Sequence, residues 1–467
     1  MRARNNTRRL TVVGVLLALL AGACGNSGSS KADSSTVPTT APGTPGVTEV
    51  TGAARQQNVP VKATGVTDTQ IGVAAITSTT NILGGLYGEY TNGIKAYFDY
   101  INAPTSEGGQ GGIYGRQLKV IANRDDKFFN NQQTVKASLA EDKAFATFVA
   151  TPQFFGARDL ADAKQPTFIW NINPEMYGHP TIFGTQGALC LGCMGQGLPY
   201  FAKQQGFTKV AVLAYGVTAS SKQCGQANEA SFKKYPSAKV VFTDYNLQFA
   251  QADLSADVSQ MKQNGAQFIM TCIDTKESLV LAKEIAKQHL NAVQNLPNAY
   301  DPDFVAANAQ YLEGSFLEPQ FRPLEEQPQL PEQKLMLDWF QKSGVQVHEL
   351  AIEGWIAANE FVHGLALAGP NFSQQKLIDS LNQDTNFTAN GMIKPVDWSK
   401  QHNDPKGHLD VDSKWECSTA VVIKNGKFVP LAHPAGKPWT CMVGGGQGTA
   451  PTLTQNPTYE SFAPASS

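Results

Sequence analysis

The sequence predicts an α/β fold of two lobes, each built on a parallel sheet. Three observations predict it. Short continuous apolar runs alternate with helical stretches from Val66 onward, and strands alternating with helices imply parallel pairing through right-handed crossovers. The same rhythm restarts near Gly195, so two units of about 120 residues follow each other, within the usual size of a domain. The first run, residues 71–76 (IGVAAI), is apolar throughout, as in a strand covered on both faces.

In order along the first unit, a Ser/Thr loop with Gly84-Gly85 follows that strand. A helix comes next, with Tyr87, Tyr90, Ile94, Tyr97 and Ile101 at three-to-four spacing as a core stripe. Strands follow at 117–122, 146–150 and 167–170, with helices at 130–142 and 156–163 between them. The second unit reads helix 195–205, strand 209–214 (KVAVLA), helix 225–235, strand 239–243, helix 254–264, strand 267–271 and helix 276–288. Residues 349–368 form one long helix with Leu350, Ile352, Trp355, Ile356, Phe361, Leu365 and Leu367 packing inward. Residues 421–424 and 427–430 flank Asn425-Gly426, the signature of a tight hairpin turn.

Composition narrows the function. The 467 residues carry a formal charge of −2, 16% are charged and 42% are hydrophobic. Such a balance lacks the basic field of a nucleic-acid binder, so no nucleic-acid partner is expected. Catalytic signatures are missing: no HExxH pair, no GxSxG elbow, no P-loop and no GxGxxG after a strand. Neither an enzyme, a cofactor nor a metal site is expected.

The N-terminus reads as an export signal. Arg2, Arg4, Arg8 and Arg9 precede the apolar residues 10–20, and Ala21-Gly22-Ala23 leads to Cys24. That apolar stretch is too short to span roughly 30 Å of hydrocarbon. The small residues before Cys24 resemble a bacterial lipobox, which implies that Cys24 is acylated; ordinary cleavage nearby is the alternative. Arg8-Arg9 hints at twin-arginine export, but Thr11 stands where that signal wants a bulky apolar residue, so the general secretory route is expected. Residues 25–65 are rich in Ser, Thr, Pro and Gly and are expected to be a disordered tether. Residues 444–467 have a similar composition and are expected to be a loose tail.

Six cysteines remain after Cys24: Cys190, Cys193, Cys224, Cys272, Cys417 and Cys441. An even set in an exported chain suggests disulfides. Cys417 and Cys441 are expected to pair; the pairing of the other four stays open. Cys190-Leu-Gly-Cys193 also has the spacing of a redox pair or half a zinc site, but no second CxxC or suitably spaced His accompanies it.

The order of certain residues is informative beyond periodicity. After IGVAAI come Gly84-Gly85, Ile101-Asn102, Gly111-Gly112-Ile113-Tyr114-Gly115-Arg116 and Asp125-Asp126. Later come Asp253-Leu254-Ser255, Leu312-Glu313-Gly314, Glu353-Gly354-Trp355-Ile356-Ala357, Val396-Asp397-Trp398 and Lys424-Asn425-Gly426-Lys427. Across about Val66 to Val443 this resembles the type I solute-binding proteins of the branched-chain-amino-acid group of ABC transporter receptors. The resemblance implies two doubly wound parallel-sheet lobes joined by three hinge crossings, closing on a ligand. It places lobe 1 at 66–188 plus 314–395 and lobe 2 at 189–313 plus 396–443.

Ligands of parallel sheets lie beyond the carboxyl ends of strands. The candidate ligand-binding residues on those loops are therefore Thr79, Thr151, Gln153, Phe154, Asn171, Asn173, Tyr215, Asp274, Asn298 and Asp301. By the resemblance, hydroxyls after the third strand hold a ligand carboxylate and an acid in lobe 2 holds its ammonium. This chain has Pro297-Asn298-Ala299-Tyr300 where that acid is expected, and Cys224-Gly225 where a Tyr-Gly pair is usual. Asp274 or Asp301 could substitute, although each also suits a helix cap. Phe154, Asn171, Asn173 and Asn298 suit a neutral or aromatic polar solute.

The resulting expectation is a monomeric lipoprotein, anchored outside the cell membrane, that hands a small organic solute to an ABC permease. A ligand sensor of the same fold and a thiol-disulfide enzyme using Cys190 and Cys193 are the alternatives.

Overall fold

The computed structural model describes residues 55–405, 416–442 and 452–463. The export signal, Cys24 and most of the tether lie outside them. The first sheet contains β1 (Gln70–Thr77), β2 (Gln117–Asp125), β3 (Ala146–Ala150), β4 (Thr167–Ile169) and β5 (Ile182–Gly184). Its order is β2-β1-β3-β4-β5 and every pairing is parallel. Helices α1 (Glu89–Asn102), α2 (Asn131–Glu141) and α3 (Ala157–Asp162) make the crossovers. Residues 71–77 of β1 are all buried, which is why that run carries no alternation.

The second sheet repeats the arrangement. It contains β6 (Lys209–Tyr215), β7 (Lys239–Leu247), β8 (Phe268–Cys272) and β9 (Val293–Gln294), in the parallel order β7-β6-β8-β9. Around it run α4 (Gly197–Gln204), α5 (Ala219–Lys234), α6 (Ser255–Asn264), α7 (Thr275–Lys287), α8 (Pro302–Ala307) and α9 (Ala309–Leu312). The chain then returns through α10 (Pro331–Ser343), α11 (Glu349–Ala368) and α12 (Gln374–Leu381). Tyr97 on α1 meets Trp355 on α11 edge to face at 4.7 Å, and residues from β1, β3, β4, α1 and α11 share one apolar core.

Two small antiparallel sheets complete the body. One joins β10 (Phe316–Leu317) to β12 (Val421–Lys424) and β13 (Lys427–Pro430). Asn425 and Gly426 both take positive φ, 51° and 70°, as the tight turn requires. The other joins β11 (Cys417–Ser418), β14 (Trp439–Cys441) and β15 (Thr458–Glu460).

Three expectations are displaced. The tether does not run loose to residue 65: the buried Arg116 guanidinium donates to the carbonyls of Val59 at 2.8 Å, Thr67 at 2.7 Å and Tyr114 at 2.9 Å, and Val61 and Ala63 pack against the main core. One cation satisfied by three carbonyls fastens residues 59–67 to the first lobe. The tail is not wholly loose either. β15 pairs with β14, Phe462 lies 5.8 Å from Trp439, and the Thr454 N–H donates to Gln196 Oε1 at 2.7 Å. Finally, Trp398 lies 5.1 Å from Phe183 of β5 and the His402 ring bonds the Ile182 carbonyl of the same strand, so residues 398–402 pack against the first lobe.

Candidate functional site

In both sheets the strand order reverses beside the first strand, between β1 and β3 and between β6 and β8. Crevices at such reversals open beyond the carboxyl ends of the strands. A cavity of about 370 Å³ lies there, walled by loops from both sheets, within the range of small-molecule sites. The loop after β1 supplies Leu83 and Tyr87, that after β3 Pro152 and Gln153, and that after β4 Trp170, Asn171 and Asn173. Opposite them stand Tyr215 at the end of β6 and Thr218 beyond it, Ile273 and Asp274 after β8, and Asn298 after β9.

One hydrogen bond ties the two walls. Tyr87, just before α1, donates its Oη to Asp274 Oδ2 at 2.6 Å with both groups buried. Asp274 also caps α7, its Oδ1 accepting from the Thr275 N–H at 2.8 Å. Burial pushes the Asp274 carboxyl above the usual carboxylate range, against the Tyr87 and Thr275 hydrogen bonds that hold it down. Beside it the Asp274 N–H donates to Tyr215 Oη at 3.1 Å, and that hydroxyl donates to Glu277 Oε2 at 2.8 Å. Burial raises the Tyr215 phenol and the Glu277 carboxyl as well. The cleft floor thus carries a hydrogen-bonded chain of acids and phenols.

Of the candidates named from sequence, Gln153, Asn171, Asn173, Tyr215, Asp274 and Asn298 line this cavity. The other four are elsewhere. Phe154 is 2% exposed and packs in the core, while its neighbour Phe155 is 57% exposed; the Asn131 side chain pins this loop by donating to the Gln153 carbonyl and accepting from the Phe155 N–H. Thr79 Oγ1 bonds Thr77 Oγ1 at 2.9 Å, and Thr151 Oγ1 donates to the Gln153 carbonyl at 2.8 Å. Asp301 caps α8, accepting from the N–H groups of Asp303 and Phe304 at 2.9 and 3.0 Å. Asn171, with its amide oriented to satisfy its neighbours, donates to the Trp170 carbonyl and accepts from the Trp170 indole at 3.3 Å.

Several lining residues escaped the sequence reading. Tyr87 reads as the start of the core stripe, and it is buried, but its hydroxyl end faces the cleft floor. Leu189, Leu191, Leu198, Glu318 and Gln320 come from the two stretches where the chain passes between lobes. Glu318 and Gln320 follow β10, outside both parallel sheets, and Leu189 and Leu191 lie five residues or more beyond β5, on the way to the second lobe, so the strand-end rule did not single them out. Phe249 arrives because β7 runs to Leu247 rather than stopping near Thr243. The cysteines brace this region: Cys224 on α5 is bonded to Cys272 at the end of β8, Cys190 to Cys193, and Cys417 to Cys441.

Residues 70–411 match the sequence profile of the periplasmic binding protein family. This chain belongs to that family. The fold of this binding protein is that of type I members. A fatty acid ABC transporter substrate-binding protein from Thermomonospora curvata superposes with a TM-score of 0.65 at 16% identity, covering 79% of this chain and 93% of its own. A branched-chain amino acid ABC transporter protein from Thermus thermophilus with bound valine gives 0.61 at 15%, covering 78% and 96%. A solute-binding protein from R. palustris in complex with benzoate gives 0.60 at 15%, again covering 78% and 96%. Among curated protein sequences none matches this binding protein. The family is one of solute-binding proteins associated with ABC-type transporters rather than of enzymes. Among the described residues no helix is long and apolar enough to cross a membrane, and no group of three or more His, Cys, Asp or Glu is placed to hold a metal ion.

Proposed function

We propose that this binding protein is an exported lipoprotein, acylated at Cys24, that captures a small organic solute between its lobes and presents it to an ABC permease. The solute belongs with amino acids and related polar or aromatic compounds. The observation that carries this reading is the cavity whose walls come from the strand ends of both sheets. A solute touching both walls lowers the free energy of the closed arrangement relative to the open one and shifts the population toward it. The valine and benzoate bound by the structural relatives are of a size that such a cavity holds.

The test is a thermal-shift screen of the purified protein against amino acids, amides, aromatic acids, amines and sugars. A ligand at about 100 times its Kd adds about 2.7 kcal/mol to stability, so a true solute raises the melting point clearly. Gln153→Ala and Asn173→Ala remove side chains that line the cavity, and Gln153 keeps its loop bonds through its backbone carbonyl. Both variants should lose the ligand shift and keep the melting point of the free protein. Equal loss of both would make these residues structural. The anchor is tested separately: Cys24→Ala should release the exported chain from the membrane fraction.

A further inference from the structure

The described lining of the cavity carries two acids, Asp274 and Glu318, and no Lys, Arg or His. Asp274 is committed to Tyr87 and Thr275. Glu318 follows β10 on a stretch between the lobes, and its side chain is exposed to the cleft. Surrounding protein nonetheless pushes its carboxyl up to about 7, with Ser418 as its hydrogen-bond neighbour and Lys394 at electrostatic range.

Glu318 also lines a second cavity of about 280 Å³ that shares Leu189, Leu198, Asn228 and Gln320 with the first. The titratable lining of that cavity is Glu318, Glu416 and Lys394, two carboxyls and one amine. Glu416 accepts from the Gln196 N–H at 2.6 Å and from its side chain at 3.1 Å. Burial holds Glu416 up to about 7 and brings Lys394 down to about 8. Deeper in the walls, Glu277 and Glu349 add further acids under Tyr215 and Tyr300. Lys276, in the first turn of α7, is exposed beside Gly84 and outside the cavity lining. An anion entering the first cavity would lose its hydration and meet no cation in its lining; a cation would meet the Glu318 carboxyl.

Several hydroxyls near the cavity are engaged, whereas Thr218 only accepts, from the Ser221 N–H at 3.2 Å. Beyond Thr79 and Thr151, Ser221 Oγ donates to the Cys272 carbonyl at 2.5 Å and Thr271 Oγ1 to the Asn295 carbonyl at 3.0 Å. Apolar side chains, Leu83, Trp170, Leu189, Leu191, Leu198 and Phe249, share the wall with neutral amides such as Gln153, Asn173 and Asn298. Outside the cavity, Ile82, Leu86, Phe129, Phe155 and Val217 are exposed. All five lie on loops that follow β1, β2, β3 and β6, at the same end of the sheets. Apolar surface gathered at one end marks a site of contact with apolar matter.

Resting on the reading of the cleft as a solute site, we propose that the ligand is an organic amine, a protonated nitrogen on a largely apolar skeleton, with Glu318 as the carboxylate that selects it. The experiment is calorimetric titration of the purified protein with matched probes: 2-phenylethylamine, phenylacetamide and phenylacetate, and hexylamine, hexanamide and hexanoate. The amine of at least one set should bind about tenfold or more tighter than its amide, a gap of about 1.4 kcal/mol, and the carboxylate weakest. Glu318→Gln should bring amine and amide within about twofold while leaving the amide's affinity in place. A carboxylate binding as tightly as its amine overturns the proposal, and so does an amine preference that survives Glu318→Gln. Should that variant not fold, the ranking on the unaltered protein decides alone. If amines fail while another solute of the wider screen binds, this inference falls and the solute reading stands; if no solute binds, both fall.

Discussion

Asp274 illustrates how one side chain serves two purposes. Its sequence position marks it as a helix cap, and it is one, but the same carboxylate receives the Tyr87 hydroxyl from the opposite wall. Sequence reasoning saw the cap because caps are local; the clasp joins residues 187 positions apart and leaves no periodic trace. Tyr87→Phe keeps the ring and removes the clasp, leaving a buried carboxylate short of a donor. The expected cost in urea unfolding is about 1–3 kcal/mol, with the tilted packing on Trp170 at 5.7 Å retained. An unchanged midpoint would mean that the clasp adds nothing. Three of the four candidates that miss the cavity carry the same lesson. Thr79, Thr151 and Asp301 spend their oxygens on nearby groups, and a loop sequence alone does not say whether a hydroxyl turns to its own backbone or to a ligand.

At the scale of elements, the long helix was the most legible: residues 349–368 are bounded in the structure as the apolar pattern bounds them. Less legible was its closeness to α1. A Cβ on Gly93 would lie 1.9 Å from the Ala351 carbonyl oxygen, and one on Gly354 would lie 2.0 Å from that of Tyr90. These two glycines let the helix backbones touch. Gly93→Ala should therefore destabilise by about 3 kcal/mol or more, since backbone cannot step aside as a side chain can. Gly364→Ala, which meets only the Leu381 side chain, should cost distinctly less in the same unfolding series. The helix also buries Glu349, Glu353 and Glu360. Burial holds Glu349 up to about 7, Glu353 up to about 8 and Glu360 well above its ordinary value. Each keeps in the folded state a proton that the unfolded chain releases above about 4.5. Their contribution to stability is therefore full below that pH and declines as pH rises toward 8. Glu353→Gln, neutral throughout, should flatten the fall in melting point measured between pH 5 and 8; an unaltered slope would assign the decline to other groups. Helices α10 and α12 have no counterpart among the elements expected from sequence, which assign no helix to residues 314–348 or 369–395.

For the whole molecule, the two-lobe α/β architecture was readable because each parallel sheet, covered on both faces, writes continuous apolar runs separated by helical stretches. The edges were not. Residues 59–67 look like linker by composition, yet they are bound by Arg116 of the glycine-rich block, and residues 458–460 look like tail yet complete a sheet. Both are short polar segments held by hydrogen bonds to distant residues, which composition does not record. The cavity was readable where strand ends define it and hidden where the interlobe stretches supply Leu189, Glu318 and Gln320, because those positions depend on how two sheets face each other. Everything functional rests on that facing. The most direct measurement is a crystal structure of the protein with the tightest-binding solute from the thermal screen. The account predicts solute density bounded on one side by Gln153 and Asn173 and on the other by Thr218 and Asn298. Density on the outer surface of either lobe, or against the loops of one sheet alone, would contradict it.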